Sequence, residues 1–207
     1  LTLLGLTTAE GLLTGNTLNI YNRDPVVLEK IASASQLIGA HVGPRFTYPD
    51  HQVIGYNIQP NAFAKLFMAL GAGGNSATKR VPPFIFTLPN RAIAFYLAAY
   101  FEGDGTVHEQ EVSCTSKSPE LISDIVYLLY RFGIVGRIRT KFKRATNTTH
   151  IGDYYYELVI SGGKQLNTFA KHIGFLTLVK NQRLTSILGK TTNTNVDTIP
   201  TLGAVFK

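Results

Sequence analysis

The sequence predicts an α+β protein made of two pseudo-symmetric halves, each running helix, two strands, helix, two strands, helix (αββαββα). Three observations carry this expectation. A nine-residue motif occurs twice, 94 residues apart, at the head of each half. Behind each copy, apolar residues recur with helix and strand periods in the same order. Turn residues and caps break these runs at matching places. A repeat of about a hundred residues is too long for a solenoid unit. It fits a fused pseudo-dimer with the two motif helices on its pseudo-twofold axis. The halves are expected over residues 1–89 and 90–207.

Residues 97–105 read Leu-Ala-Ala-Tyr-Phe-Glu-Gly-Asp-Gly and close an apolar run that starts near Ala92. The run has no Pro, and no Gly before Gly103, so it suits a buried helix too short to span a bilayer. Gly105 should end it. Asp104 then sits at the helix C-terminus, where the macrodipole disfavours a carboxylate, and a cation beside it is the simplest remedy. Residues 3–11 read Leu-Leu-Gly-Leu-Thr-Thr-Ala-Glu-Gly and superpose on the later copy. Gly5 and Ala9 match Ala99 and Gly103. Small residues four apart on one helical face let two helices approach closely. Side by side, such helices bring Glu10 and Asp104 together at one end.

The remaining elements follow in order. Residues 12–22 alternate around a Gly15-Asn16 turn and predict a hairpin. Asp24-Pro25 opens a helix whose apolar face carries Val27, Leu28, Ile31, Ala34, Leu37 and Ile38, ending at Gly39. Strands are expected over 41–48 and 52–59, and a helix over 61–70. In the second half, 106–108 and 111–115 form a hairpin, and Ser118-Pro119-Glu120 opens a helix to Phe132. Strands over 135–143 and 154–161 and a helix near 165–173 complete the repeat, with a polar loop over 144–153.

The strand 136–144 puts Arg137, Arg139, Lys141 and Lys143 on one face and Ile138 and Phe142 on the other. Four bases with no acid among them would repel one another, which favours a polyanion partner over an ordinary solvated edge. Tyr154 and Tyr156 join that face if Tyr155 and Val159 turn inward, an alternation the residues leave ambiguous. In the first half Arg45 and Thr47 alternate with Val42 and Phe46, and Asn57 and Gln59 are placed outward because Ile54 and Ile58 want the core. Asn and Gln can read adenine edges, Arg and Lys guanine edges or phosphates, and a two-stranded ribbon fits the major groove. His108 and Gln110, in the second hairpin, are further candidates for DNA contact.

Composition agrees with a folded globular protein: 44% hydrophobic and 16% charged over 207 residues. Net charge is +7, of which residues 1–104 hold +1 and residues 105–207 hold +6. The single Cys114 excludes an internal disulfide or a cysteine-based zinc site and reads as a small buried hydrophobe. The histidines at 41, 51, 108, 150 and 172 show no metal-ligand spacing, so no zinc is expected. Gly71-Ala72-Gly73-Gly74 before Lys79 lacks the Gly-Lys-Ser/Thr of a phosphate loop. No stretch reads as a signal peptide or membrane span, and a cytoplasmic setting, nucleoid-associated in a prokaryote or else in an organelle, is the expectation.

The paired motifs resemble the LAGLIDADG homing endonucleases, and the resemblance covers nearly the whole chain. Lys79-Arg80-Val81-Pro82 looks like the Lys-x-x-Pro block of the intein-type branch. Ile173-Gly174-Phe175 followed by Lys180 looks like the matching block of the second half. Residues 195–200, Asn-Val-Asp-Thr-Ile-Pro, are similar to the closing segment of intein endonuclease regions. The resemblance implies a saddle-shaped monomer with the motif helices at the interface. It would bind long asymmetric double-stranded DNA and make a double-strand break by Mg²⁺-dependent hydrolysis, Mn²⁺ or Ca²⁺ being able to substitute in the site. Glu10 and Asp104, with the carbonyls of Ala9 and Gly103, would hold the metal. Lys79, 69 residues after Glu10, and Lys180, 76 after Asp104, would stabilise charge or orient water. Glu102 should point away from the metal. The first motif departs from the usual pattern in Glu10 and in Thr7-Thr8, which puts equal cutting of the two strands in doubt. An RNA-splicing maturase or a non-cleaving DNA-binding protein is the alternative on this scaffold. Intein and intron origin stay open. The chain starts at Leu1 without a Cys or Ser nucleophile and ends without His-Asn, so no splicing activity is expected.

Overall fold

The computed structural model describes residues 1–47, 49–143 and 152–189. The closing block at 195–200, and most of the polar loop before Asp153, lie outside the described residues.

The first half runs α1 (Thr2–Glu10), β1 (Gly11–Thr14), β2 (Thr17–Tyr21), α2 (Pro25–Gln36), β3 (His41–Phe46), β4 (Val53–Gln59) and α3 (Ala62–Ala69). A short 3-10 turn over Pro83–Thr87 leads to the second half. That half runs α4 (Asn90–Asp104), β5 (Gly105–Val107), β6 (Glu111–Ser116), α5 (Pro119–Tyr130), β7 (Arg137–Lys143), β8 (Asp153–Ser161), α6 (Gly163–His172) and α7 (Leu178–Ile187). The two antiparallel sheets have equivalent strand orders, β1-β2-β4-β3 and β5-β6-β8-β7. The predicted α+β repeat is therefore the observed one, with α7 as an addition. That helix was missed because it has little amphipathic patterning: only Leu184 and Ile187 are buried.

Local chemistry sets the helix starts. Asp24 caps α2 by accepting from Val26 N at 2.8 Å, and Ser118 caps α5 by accepting from Leu121 N at 3.1 Å; each is followed by Pro at the first helical position. These are equivalent positions in the repeat. Each cap also ends a tight turn at its sheet: Asp24 N donates to Asn22 Oδ1 and Ser118 N to Ser116 Oγ.

The core is one continuous cluster spanning both halves. It lies between the motif helices, α2, α5 and the inner sheet faces. Leu18, Ile20 and Ile58 point inward from the first sheet, and Val112, Cys114, Leu158 and Ile160 from the second. Cys114 is buried as expected of a small hydrophobe. Among the described residues no helix is long and apolar enough to cross a membrane.

Candidate active site

Helices α1 and α4 pack directly on each other. The small residues make this possible. A Cβ added at Gly5 would lie 2.4 Å from Tyr96 O and 2.7 Å from Ala99 Cβ. One added at Gly103 would lie 2.6 Å from Ala9 Cβ. Tyr96 OH donates to Thr8 Oγ1 across the helix pair at 2.9 Å, and Thr8 Oγ1 donates to Leu4 O at 2.9 Å. The unusual threonine of the first motif thus satisfies a tyrosine hydroxyl that is wholly buried.

Glu10 and Asp104 end these helices side by side. The Glu10 carboxyl carbon lies 3.3 Å from where a Gly103 Cβ would be. Burial raises both carboxyl pKa values, and Asp104 is pushed up to about 7, with Glu10 adding to the rise and Lys79 and Lys180 opposing it. Glu10 is helped to ionise by Asn22, whose amide donates to its Oε2 at 2.7 Å. Each acid opens onto its own cleft. One, of about 430 Å³, holds Glu10, Tyr21, Asn22, Arg23 and Asp24. The other, of about 350 Å³, holds Asp104, Lys79, Ser116, Lys117 and Tyr155.

The two lysines reach the same helix ends. Lys79 Nζ donates to Ala9 O at 3.2 Å and Gly11 O at 3.1 Å. Lys180 Nζ donates to Glu102 O, and to Gly105 O at 2.9 Å. Ammonium groups on C-terminal carbonyls match the sign of the helix dipole. Burial lowers both lysine pKa values, and the carboxylates push them back up. Ala9 O, expected as a metal ligand, is thus a lysine acceptor here. Glu102 turns toward the start of α7, and its charge still reaches Glu10.

Among the described residues no group of three His, Cys, Asp or Glu side chains could hold a metal. Nor does any described donor hydrogen-bond the Asp104 carboxylate. A desolvated carboxylate of raised pKa beside a second acid is a donor set that fits a hard divalent cation completed by carbonyl, water and substrate oxygens. Zinc-type nitrogen or sulfur ligands are not part of it.

The outer sheet faces carry most of the remaining candidates. Arg137, Arg139 and Lys141 share one face of β7 and pair across to Val159, Glu157 and Tyr155. This corrects the assignment of Tyr154 and Tyr156. Tyr154 pairs with Phe142 on the opposite face, their rings 5.1 Å apart, and Tyr156 packs on the core opposite Thr140. Tyr155 and Glu157 occupy the basic face instead. The bases also do not stand alone. Lys141 meets Glu157 at 2.7 Å, and Arg139 lies 3.5 Å from Glu111 and 3.8 Å from Glu157. The side chain of Lys143 lies outside the described residues.

In the first sheet, Arg45, Asn57 and Gln59 face outward, as expected. Gln59 Nε2 donates to Asn57 Oδ1, and Asn57 Nδ2 to Asn19 Oδ1, both at 3.0 Å. Thr47 closes the β3–β4 turn through Gln52 rather than extending the face. His108 and Gln110 are exposed at the β5–β6 turn.

Asn22 was overlooked in the sequence. Its signal is its place two residues before the Asp24 cap, matching Ser116 before Ser118. Lys117, ion-paired to Asp153 at 2.5 Å, was overlooked too.

Known proteins agree with this architecture. Residues 91–174 match the LAGLIDADG-like domain. A replication factor C small subunit of Methanocaldococcus jannaschii is 36% identical over 63% of this chain and 7% of its own length. A glutamine–fructose-6-phosphate aminotransferase of the same organism is 34% identical over 56% of this chain and 10% of its own. The chain spans a tenth or less of the length of these two curated relatives. Among solved structures, that of I-DmoI in complex with DNA and Ca superposes with a TM-score of 0.59 at 12% identity, covering 89% of this chain and 94% of that one. Full-length DUF199/WhiA from Thermatoga maritima superposes at 0.58 and 14% identity, covering 89% and 58%. Residues 91–174 match the LAGLIDADG-like domain, and the described chain as a whole has the fold seen in I-DmoI, one motif helix from each half meeting at its seam.

Proposed function

We propose that this chain is a site-specific DNA endonuclease that cuts both strands of a long, asymmetric duplex with the help of a divalent metal, Mg²⁺ in the cell. One observation carries the reading. Two desolvated carboxylates, Glu10 and Asp104, meet at the seam of two half-sheets, each opening on its own cleft and each within the field of half-buried lysines. Two clefts related by a pseudo-twofold suit two antiparallel strands, and a single chain holds both, so a monomer suffices.

Glu10 and Asp104 would hold the metal, with peptide carbonyls at the helix ends as further donors. When bound, such an ion polarises phosphate oxygen and supplies hydroxide near neutral pH. The chain does the rest. Its outer faces, through Arg137, Arg139, Lys141 and Arg45, bind the phosphate backbone and seat the sheets in the groove. Asn57 and Gln59 read base edges. Lys79 and Lys180 place positive charge where the scissile phosphates gain negative charge. Asn22 favours the ionised form of Glu10 and aims its carboxylate. Lys143, His108 and Gln110 extend the contact surface. The paired halves divide at the start of α4, residues 1–89 and 90–207.

The relatives bear on origin. A replication factor and an aminotransferase share no activity, yet each carries a segment similar to this one in a tenth or less of its length. A mobile, intein-type insertion accounts for that pattern. A second reading, nucleic-acid binding without cutting, is favoured by the Lys79 hydrogen bond on Ala9 O, which takes up an expected metal ligand.

The test starts from duplexes selected from a randomised library for binding in Ca²⁺. The selected site is placed in supercoiled plasmid and incubated with Mg²⁺. Linear product that disappears in Glu10→Gln/Asp104→Asn is the expected result. Tight binding with no cutting in Mg²⁺ or Mn²⁺ overturns the reading and favours the second.

A further inference from the structure

Two buried acids lie outside the seam, and each supports one lysine. Glu102, 4% exposed, accepts from Leu176 N at 2.8 Å, Thr177 N at 2.9 Å and Thr177 Oγ1 at 3.0 Å. Its Oε1 lies 3.8 Å from Lys180 Nζ. Lys180 is the third residue of α7, where the helix dipole is positive and a lysine is disfavoured. One carboxylate offsets both the helix end and the ammonium. It also fastens the first turn of α7 to the end of α4, so that the ammonium reaches back to the carbonyls beside Asp104.

The first half has no such acid. Thr8 stands at the equivalent motif position and bonds within the helix pair. Lys79 lies in no helix, unlike Lys180, and is held from the other half instead. Its carbonyl accepts from Ser118 Oγ at 2.8 Å. Its neighbour Arg80 forms a two-bond pair with Asp124, at 2.6 and 2.8 Å, and Val81 N donates to the same carboxylate at 3.1 Å. Asp124 sits on α5 and is 7% exposed. Paired hydrogen bonds between guanidinium and carboxylate fix geometry as well as charge.

We infer that Glu102 and Asp124 are positioning residues for the two lysines, Glu102 for Lys180 and Asp124, through Arg80, for Lys79. The consequence for cutting rests on the nuclease reading; the positioning itself does not. The two supports differ in kind, one within a half and one across the seam, so each is expected to govern a different strand.

Two measurements test this on Glu102→Gln and Asp124→Asn. In the first, the chain is treated with a limiting amine-acylating reagent and each lysine is followed by mass spectrometry. Glu102→Gln should raise acylation of Lys180 about tenfold and leave Lys79 unchanged, and Asp124→Asn should do the reverse. Thr177→Val and Ser118→Ala, milder cuts to the same supports, should move Lys180 and Lys79 respectively in the same direction. In the second, a cognate duplex labelled on both strands is cut in Mg²⁺. Glu102→Gln should slow, by ~10–100-fold, the strand that Lys180→Met slows, and Asp124→Asn the strand that Lys79→Met slows, with binding in Ca²⁺ retained. Equal reactivity changes at both lysines, no change at either, or equal slowing of both strands overturns the inference. A wild-type chain that cuts nothing defeats the nuclease reading instead, and the acylation result still decides the positioning.

Discussion

The amide of Asn22 donates to Glu10 Oε2 at 2.7 Å, and no described side chain does the same for Asp104. The two acids of the seam are therefore not equivalent. The hydrogen bond favours the ionised form of Glu10 against the burial that disfavours it. Asn22→Ala should raise the Glu10 pKa and lower cutting of one strand by ~10-fold. The loss should shrink as pH rises through the folded pKa of Glu10, which burial sets above the ordinary carboxylate range. Strand-resolved rates across that titration are the measurement, and equal loss on both strands at every pH would refute it.

Gly103 lets Glu10 reach the seam. A methyl there would meet Ala9 Cβ at 2.6 Å and Glu10 Cγ at 3.0 Å, and the helices have no room to part without disturbing the core. Gly103→Ala should cost ~1–3 kcal/mol, with a fall in Tm of ~2–4 °C for each kcal/mol. Thermal unfolding reads this directly. A Tm equal to wild type would show that the seam is looser than described.

Asp104 makes the metal-free chain less stable as pH rises. Its folded pKa, about 7, stands above the ordinary 3.8, so between these values the folded state holds more protons than the unfolded state. Stability must fall with rising pH across that window. Asp104→Asn removes the effect. It should raise Tm by at least ~2–4 °C at pH 8, the equivalent of ~1 kcal/mol, and by little at pH 4. An equal gain at both pH values would mean that desolvation of the carboxylate is not the cause.

Glu157 restrains the basic face. It faces Lys141 at 2.7 Å and Arg139 at 3.8 Å, two of the bases that the proposed function sets against phosphate. Glu157→Gln should tighten binding to non-specific duplex and steepen its salt dependence. Arg139→Ala and Lys141→Ala should weaken it and lower the slope of log K against log salt by ~1 each. Titrations at several salt concentrations decide, and a slope unmoved by all three would exclude this face from the DNA contact.

Much of the architecture was legible along the chain. Asp24-Pro25 and Ser118-Pro119 mark helix starts through local hydrogen bonding, which needs no distant partner. The spacing of Gly5 and Ala9 against Ala99 and Gly103 announced a close helix pair, because a missing side chain is itself a packing instruction. The tyrosine run before Glu157 was not legible. Three consecutive aromatics satisfy either alternation, and only pairing with Phe142 and Thr140 sets the register. Helix α7 escaped notice because so little of it is buried.

By itself, the sequence determined that two matched helices would end in two acids and that two similar half-sheets would follow them. Period, caps and small residues are local properties, written in the order of the chain. Only the tertiary structure decided which groups surround those acids. Asn22, Lys79 and Lys180 lie 12, 69 and 76 residues beyond the acids that open their own halves. Their meeting depends on how α7, the α3–α4 connection and the two sheets pack. Burial then sets the charge of the site, because a carboxylate responds to the water it loses and the cations it gains, and neither can be read from its neighbours in sequence.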